Sequence, residues 1–254
     1  MSKQPIQEVQ LPSVDREIVV PASRYECSIS NDVYRQAGYS TMVSTNLVHA
    51  PNASYEQMLS MLPKGYRMGV PSDTVSELLR LEKQYAAKGE SPREALKDSL
   101  FATFVEGRPY KWERTHVFLR AIKGVGNLGA YKETDDKGRE YLRGDFGIGE
   151  KVVAEGVRLP NTRGGKVVEW NEALGIPAVV SDGNEPNHTT HLYVNPDLSE
   201  VAVDLCGYWY SGEQGRCLGF DAGWGRSDSN EDAAFRLVQG SLDDLLLPIV
   251  EKAD

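Results

Sequence analysis

Two pairs of residues in this chain of 254 residues could carry chemistry. Cys206 and Cys217 stand eleven residues apart in a segment rich in glycine and aromatic residues. Two thiols can form a disulfide or bind a metal, but a cysteine outside such a pair is most often a small buried hydrophobe. His188 and His191 could present two imidazoles to a metal if they lay on a helix. The surrounding Pro, Asn and Gly residues predict a loop instead, so we expect no metal site.

A third motif has the spelling of a cofactor site. The segment from Gly124 to Gly129 reads Gly-x-Gly-x-x-Gly, the pattern of a dinucleotide-binding turn. That mechanism needs a helix directly after the last glycine, because the helix N-terminus faces the pyrophosphate. Here residues 130–138 predict a polar hairpin, so we interpret the motif as a glycine-rich turn. No Gly-x-Ser-x-Gly elbow is present, and we predict no catalytic residue and no cofactor.

The segment from Asp204 to Val238 has the composition of a recognition surface. It combines Tyr and Trp residues with many Gly and Ser residues and a mixed set of charges. Tyr and Trp give large rigid contact areas, whereas Ser, Gly and Asn give adaptable hydrogen bonds. The alternative is a glycine-rich set of strands whose aromatic residues fill the core. Composition alone does not decide between the two.

The order of residues in this segment resembles a known family. It opens with Gly207-Tyr208-Trp209, passes through Arg216-Cys217 and closes with Ala234-Phe235-Arg236. This order is similar to the C-terminal part of C-type-lectin-like domains of the formylglycine-generating-enzyme type, although Ala234 stands where the family has Gly. Variable proteins of diversity-generating retroelements use the same scaffold. Upstream, residues 65–71 resemble the segment that leads into the family's helix.

The resemblance implies an α+β, C-type-lectin-like fold, with short strands and hairpins and several helices packed around them. It implies one domain over residues 1–254, with a variable, ligand-binding segment at 204–238. Trp209, Cys217 and Phe235 would then be framework residues. The expected ligand-binding residues, which share a solvent-facing position in the family, are Tyr208, Tyr210, Ser211, Glu213, Gln214, Phe220, Asp221, Trp224, Arg226, Asp228 and Asn230.

The oxidase activity of the formylglycine-generating members is not expected here. Those enzymes are similar in this segment but use two cysteines with four residues between them. Cys217 matches the second of them, whereas Gly212 occupies the first position. Our first hypothesis is therefore a binding protein for a protein or glycan ligand. An enzyme with other chemistry on the same scaffold is the second, and a structural protein, for instance of a virus particle, with its aromatic residues in an oligomer interface is the third.

Charge and hydropathy exclude several classes of partner. The net charge of −9 and the pI near 5.1 argue against nucleic acid, which needs clustered Lys and Arg residues. No run of apolar residues reaches the length of a membrane span, and residues 1–10 lack the apolar core of a signal peptide. Three cysteines do not make a disulfide framework. We therefore expect a cytoplasmic or virion-associated protein.

Start and stop signals predict where the elements lie. Capping boxes predict helices beginning near Ser54, Thr74, Ser91 and Ser241. Strands are predicted near 17–20, 25–29 and 39–48, over 116–122 and 152–159, and at 166–170. Hairpins are predicted over 130–142, with a turn at 135–138, and over 192–205, with a turn at 195–198. Val201, Val203 and Leu205 are expected to face inward.

Overall fold

The computed structural model describes residues 10–28, 31–90, 92–100, 112–161, 164–182, 191–208, 217–245 and 249–252. Within them lie three α-helices and a single 3-10 turn. The helices are α1 (Tyr55–Ser60), α2 (Pro71–Ala87) and α3 (Pro92–Asp98), and the 3-10 turn is Leu128–Ala130. The strands are β1 (Arg16–Val20), β2 (Ser23–Glu26), β3 (Asp32–Gln36), β4 (Tyr39–Val43), β5 (Val48–His49), β6 (Tyr66–Met68), β7 (Trp112–Ala121), β8 (Lys132–Thr134), β9 (Glu140–Ile148), β10 (Lys151–Pro160), β11 (Gly164–Asn171), β12 (Ile176–Asp182), β13 (His191–Val194), β14 (Glu200–Tyr208), β15 (Cys217–Trp224), β16 (Ala233–Phe235), β17 (Leu237–Gln239) and β18 (Ile249–Lys252).

Eight of the strands form a closed barrel. Their order is β7-β14-β15-β13-β11-β12-β10-β9, and β9 pairs with β7 to close the ring. Strands β16 and β5 extend the sheet from β7, and β8 extends it from β9. Two smaller sheets lie beside it, with the orders β1-β4-β17-β6 and β18-β3-β2.

The predicted fold class is wrong. We expected an α+β, C-type-lectin-like fold with several helices around short strands, whereas the chain is mostly β and is built on the barrel. Helices form at three of the four predicted places, although α2 begins earlier than its predicted start, and none of the three is a barrel element. The barrel depends on pairings between strands far apart in sequence, such as β7 with β14, which local patterns do not encode.

The first helix forms as its capping box predicts. The Gln57 backbone N–H donates to Ser54 Oγ at 3.3 Å, and the Ser54 N–H donates to Gln57 Oε1 at 2.7 Å. Helix α2 begins at Pro71, earlier than the predicted start near Thr74. The Asp73 carboxylate accepts from the Val70 N–H and from both terminal nitrogens of Arg67, so a buried ion pair holds this helix start. Helix α3 also begins where expected, at Pro92.

The predicted final helix is wrong, although its capping contacts exist. The Ser241 N–H donates to Asp244 Oδ2 at 2.8 Å, and the Asp244 N–H donates to Ser241 Oγ at 3.2 Å. These bonds close a single turn at residues 241–245. Strand β18 then follows, and it pairs antiparallel with β3. Hydrogen bonds to β3, which lies more than 200 residues upstream, thus replace the helical hydrogen bonds that the apolar spacing predicted.

The predicted hairpin over 192–205 is also wrong. Both of its strands exist, as β13 and β14, but they do not pair with each other. Strand β15 lies between them, parallel to β13 and antiparallel to β14. The prediction of the inward side chains is confirmed, because Val201, Val203 and Leu205 are buried.

A packed apolar core occupies the barrel. The largest apolar cluster takes residues from all eight barrel strands; examples are Val117, Phe146, Leu159, Val167, Val180, Leu192, Val203 and Phe220. Side chains from every strand of a closed barrel can meet in this way only if alternate residues point inside. A second cluster lies against the outer face and joins Phe118 and Ala202 to Tyr55 and Met58 of α1. The outer face is therefore partly covered as well.

Gly165 allows the strands at one side of the barrel to pack closely. A Cβ at this position would lie 2.3 Å from the Ser181 carbonyl oxygen and 2.8 Å from Val180 Cγ1. Gly165→Ala should therefore lower the free energy of unfolding by about 1–3 kcal/mol, measured by urea denaturation. Gly126→Ala is the matched control, because nothing lies within 4 Å of its Cβ. Equal unfolding midpoints for the two variants would contradict the close packing at Gly165.

Candidate ligand-binding site

Four polar residues lie side by side on four neighbouring strands of the barrel, and they are called the polar row below. The strand register places Arg114 of β7 opposite Asp204 of β14, and Asp204 opposite Asp221 of β15. Tyr193 of β13 is aligned with Asp221 on its other side. Directly opposed residues of neighbouring strands project from the same face of a sheet. The neighbours of these residues along the strands, such as Val203 and Phe220, belong to the barrel core, so the row lies on the outer face.

Arg114 and Asp204 form a buried ion pair within this row. Arg114 Nε donates to Asp204 Oδ1 at 3.0 Å, and Nη2 donates to Oδ2 at 3.1 Å. Arg114 Nη1 lies 3.5 Å from the Asp228 carbonyl oxygen. Burial raises the pKa of Asp204, and the attraction of Arg114 opposes this shift. The guanidinium is thus committed to Asp204 and to the loop that follows β15.

Asp221 has no such partner. Its side chain is 6% exposed, and Oδ1 accepts no hydrogen bond from the described residues. Burial and the neighbouring Asp204 charge raise the pKa of Asp221 to about 7, against hydrogen bonds from Gly223 and Trp224 that lower it. Two carboxylates opposite each other on adjacent strands repel when both are ionised. Asp221 is therefore a buried acid whose charge is uncompensated near neutral pH.

The Asp221 carboxylate and the Tyr193 ring pack closely against Gly223. A Cβ on residue 223 would lie 2.7 Å from Asp221 Oδ1 and 3.0 Å from Cε1 of Tyr193. Any side chain here would displace one of these groups, so the close packing requires glycine. Tyr193 is 37% exposed and Trp224, the next residue along the chain from Gly223, is half-buried. Partly exposed aromatic residues thus lie beside the buried acid.

The loop after β15 is fixed to its surroundings at several points. Within the loop, the Gly225 N–H donates to Asp228 Oδ2 at 2.8 Å. The Arg226 carbonyl accepts from the Tyr55 N–H at the start of α1, and the Asn230 carbonyl accepts from the Asn52 N–H. Residues 224–230 are thus held by backbone hydrogen bonds, while side chains of the loop remain partly exposed.

A network of charges lies beside this loop. Arg226 donates to Glu150 Oε1 at 2.8 Å and also forms an ion pair with Glu200. Glu200 pairs in turn with Arg120, and Glu150 is 82% exposed. The Arg226 guanidinium stacks 4.3 Å from the centroid of the Phe118 ring. This network makes Arg226 a fixed part of the surface and leaves Glu150 exposed at its edge.

Two buried polar groups lie under Arg226. His116 Nδ1 and the Tyr55 hydroxyl accept or donate no hydrogen bond among the described residues, and the two rings meet edge to face. Burial lowers the pKa of His116 to about 4, and the charges of Arg67 and Arg226 act in the same direction. His116 is therefore neutral at physiological pH.

The structure places four of the predicted ligand-binding residues at the end of β15 and in the loop that follows it. Trp224, Arg226, Asp228 and Asn230 are half-buried in one loop. The predicted solvent-facing position of Phe220 is wrong, because its side chain is 1% exposed and packs against Trp170. The same prediction is wrong for Asp221. Phe220 and Ala222 both face the barrel core. Asp221 lies between them along β15, so its side chain projects from the outer face of the barrel.

Several predictions fall outside the described residues. The ligand-binding residues Tyr210, Ser211, Glu213 and Gln214 belong here, as do Trp209, Gly212 and His188. For Tyr208 and Cys217 the structure describes the strand but not the side chain. Phe235, a predicted framework residue, is fully buried in β16.

Sequence reasoning missed Arg114, Asp204 and Tyr193 as members of the site. Each is an ordinary polar residue within a strand, and the strand order that aligns them joins segments up to 107 residues apart. One local signal was available for Asp204. It lies between Val203 and Leu205, which were predicted to face inward, so its side chain is expected on the opposite face of the strand. Nothing local indicates that Asp221 would stand next to it.

The two cysteines are not aligned with each other in the described strands, and His188 of the histidine motif lies outside the described residues. The register places Cys206 opposite Gly219 and Cys217 opposite Tyr208, so the two cysteines are not cross-strand neighbours. Cys206 is buried, in agreement with its interpretation as a small core residue. Within the described residues, no three His, Cys, Asp or Glu side chains form a possible metal site.

Comparisons of the chain with protein-family profiles, curated proteins and solved structures gave no match. Across the described ranges, no helix combines the length and the hydrophobicity that crossing a bilayer would require.

Proposed function

We propose that the protein is a ligand-binding protein whose binding surface is formed by residues 224–230. The observation that carries the proposal is the fixed backbone of this loop. Hydrogen bonds from Tyr55 and Asn52 hold its carbonyl groups, while Trp224, Arg226 and Asp228 keep part of their surface accessible. A surface that is ordered before binding loses less conformational entropy when the ligand arrives.

The chemistry of the exposed groups supports the same conclusion. Trp and Arg are the side chains most enriched among residues that dominate binding energy. Trp224 and Arg226 are two residues apart and are flanked by the exposed carboxylate of Glu150. The ligand would be a protein or a glycan, since both offer the apolar surface and hydrogen-bonding groups that this set of residues can contact.

Trp224→Ala should weaken ligand binding about tenfold or more, because a partly buried indole commonly contributes 1–2 kcal/mol or more to an interface. Ligands can be selected on the wild-type protein from a phage-displayed random peptide library and from a glycan array. Their dissociation constants for wild type and variant are then measured by biolayer interferometry.

Tyr131→Ala is the control for this experiment, since it removes another partly exposed aromatic ring on the 3-10 turn side of the barrel. The proposal requires that this variant bind the selected ligands as the wild type does. Ligands that lose affinity for Tyr131→Ala but not for Trp224→Ala would place the binding surface elsewhere. If neither library yields a ligand, the proposed binding function is contradicted.

The resemblance to variable proteins of diversity-generating retroelements adds one prediction about the gene. If residues 207–230 are diversified, the gene lies beside a reverse transcriptase and a near-identical repeat that differs at adenines. Sequencing the flanking DNA tests this directly. If the reverse transcriptase and the repeat are absent, the protein is expected to be a binding protein of fixed specificity.

A further inference from the structure

We propose that a cleft beside the four-stranded sheet binds a short aliphatic diamine. The cleft lies between β4, β17 and the turn at residues 241–245, and its volume is about 340 Å³. Pockets that hold small molecules begin at about 300 Å³. None of the described residues that line the cleft belongs to the loop of residues 224–230. The inference therefore goes beyond the proposed function and does not depend on it.

The cleft forms because β4 and β17 diverge. Within these two described strands the register joins Val43 to Val238 and pairs no other residues. Beyond that point the Thr41 hydroxyl donates to the Gln239 carbonyl oxygen at 2.8 Å, so a side chain takes the place of a hydrogen bond between the strands. The turn at residues 241–245 forms a further wall. Space for a ligand thus follows from the way the two strands separate.

Two carboxylates at this cleft have no cationic partner. Glu17 Oε1 accepts a hydrogen bond from the Ser40 hydroxyl at 2.8 Å. Asp244 Oδ2 accepts from the Ser241 N–H at 2.8 Å, and this bond holds the pKa of Asp244 below its ordinary value. Neither acid forms an ion pair with any residue in the described ranges. The cleft therefore presents two acids whose charge is not balanced by an ion pair.

Arg67 is the one basic residue among the described residues that line the cleft, and it is committed elsewhere. Its Nη1 and Nη2 donate to the two carboxylate oxygens of Asp73 at 2.7 and 2.9 Å. The Tyr39 hydroxyl donates to Asp73 Oδ1 at 2.7 Å. Arg67 and Asp73 are both buried, so they form a neutral pair in the cleft wall. An anionic ligand would compete with Asp73 and would be repelled by the two acids, whereas a cation would be attracted.

The composition of the cleft favours an organic cation over a metal ion. In the part of the chain that the structure describes, no three His, Cys, Asp or Glu side chains come together as a possible metal site. A hard cation such as Ca²⁺ takes about six to eight oxygen ligands. Tyr39, Met42 and Leu245 instead give the cleft apolar surface, over which the methylene groups of an alkyl chain can lie.

The placement of the two acids favours a ligand with two ammonium groups. The sheet order puts Glu17 of β1 on one side of β4, whereas Asp244 belongs to the turn that follows β17 on the other side. Met42 of β4 lies directly opposite Glu17 in the register. We therefore expect one ammonium group to pair with each acid while the carbon chain between them covers Met42.

The test uses 1,4-diaminobutane as the probe, with butan-1-amine and butane-1,4-diol as matched compounds that lack one or both charges. Binding is followed at low ionic strength by ¹H–¹⁵N NMR of the full chain, through the amide signals of Gly240 and Ser241. The diamine should shift these signals and bind about fivefold more tightly than the monoamine, the gain that a second exposed ion pair can supply. The diol should not bind. High concentrations of sodium chloride should remove the preference, because salt screens exposed charges.

Glu17→Gln and Asp244→Asn should each lower the affinity for the diamine about fivefold and remove its preference over the monoamine. The amide oxygen of asparagine can still accept from the Ser241 N–H, so Asp244→Asn keeps the turn. Asp136→Asn is the matched control, since it removes an exposed carboxylate that does not line the cleft. This control should bind the diamine as the wild type does.

The inference fails if the diamine and the diol bind equally, or if the preference for the diamine survives in both Glu17→Gln and Asp244→Asn. The same spectra show whether each variant is folded, and Glu17→Gln keeps the test decisive if Asp244→Asn loses its turn. Failure here would leave the proposed binding surface intact. That surface is tested by Trp224→Ala with selected ligands, and the two experiments change separate residues.

Discussion

Replacing Arg236 with methionine will lower the free energy of unfolding by about 3–5 kcal/mol, because it leaves the charge of Glu113 buried without a partner. Arg236 is 0% exposed. Its Nε and Nη2 donate to the two carboxylate oxygens of Glu113 at 3.1 and 2.9 Å. Its remaining bonds go to three backbone carbonyls, those of Ser44, Thr45 and Leu100.

The position of Arg236 explains the size of this effect. It stands between β16 of the large sheet and β17 of the four-stranded sheet, and Leu100 follows helix α3. One guanidinium therefore ties together three parts of the fold. The three carbonyls also lose a donor in the variant, and each buried unsatisfied group adds its own cost.

Urea denaturation of two further variants separates these contributions. Arg24→Met removes an exposed arginine whose ion pair with Glu26 is 3.5 Å long, and should cost less than about 1 kcal/mol. The double variant Arg236→Met/Glu113→Leu removes the unpaired charge and should recover part of the loss. An Arg236→Met protein as stable as Arg24→Met would show that the buried pair does not hold the sheets together.

Asp221→Asn will stabilise the protein at pH 8 by on the order of 2–4 kcal/mol and leave it nearly unchanged at pH 4. The folded pKa of Asp221 is about 7, whereas an Asp in an unfolded chain titrates near 3.9. Below pH 3.9 the carboxyl is protonated in both states and its contribution to stability is fully present. Between these values only the folded state keeps the proton, so that contribution is lost as the pH rises to 7.

The measurement is the free energy of unfolding of both proteins from pH 4 to pH 8. His116 acts in the opposite direction, because its lowered pKa of about 4 costs stability as the pH falls below 6.5. Both proteins contain His116, so the difference between their two curves isolates Asp221. Asp136→Asn serves as the control for loss of an exposed carboxylate. A difference that does not change with pH would show that Asp221 is not a strained buried acid.

Local signals in the sequence were sufficient for the isolated helices and for several strands. Ser54 and Gln57 form their capping box within three residues of each other, and Pro92 sets the start of α3 in the same local way. Such contacts form whatever the rest of the chain does. The turn at residues 135–138 is local too, and the Gly138 backbone has the positive φ of 75° that favours glycine there.

The barrel and the site could not be predicted in this way. Ser241 and Asp244 make the contacts of a helix start, yet Ile249 and Val250 pair with Arg35 and Tyr34 instead. Choosing between a helix and that strand requires knowing that β3 has a free edge. The same holds for Asp221, whose burial follows from Asp204 and Arg114 standing on the next two strands. Patterns over 10–20 residues carry no information about which strands become neighbours.

The insertion of β15 between β13 and β14 bears on how the chain is made. Strands β13 and β14 are synthesised before β15, which begins at Cys217. Until β15 is made, each of them has an edge whose N–H and C=O groups lack the partner that β15 provides. Open edges of this kind recruit strands from other copies of the chain. We therefore expect a chain truncated ahead of β15 to aggregate, whereas the full chain covers both edges.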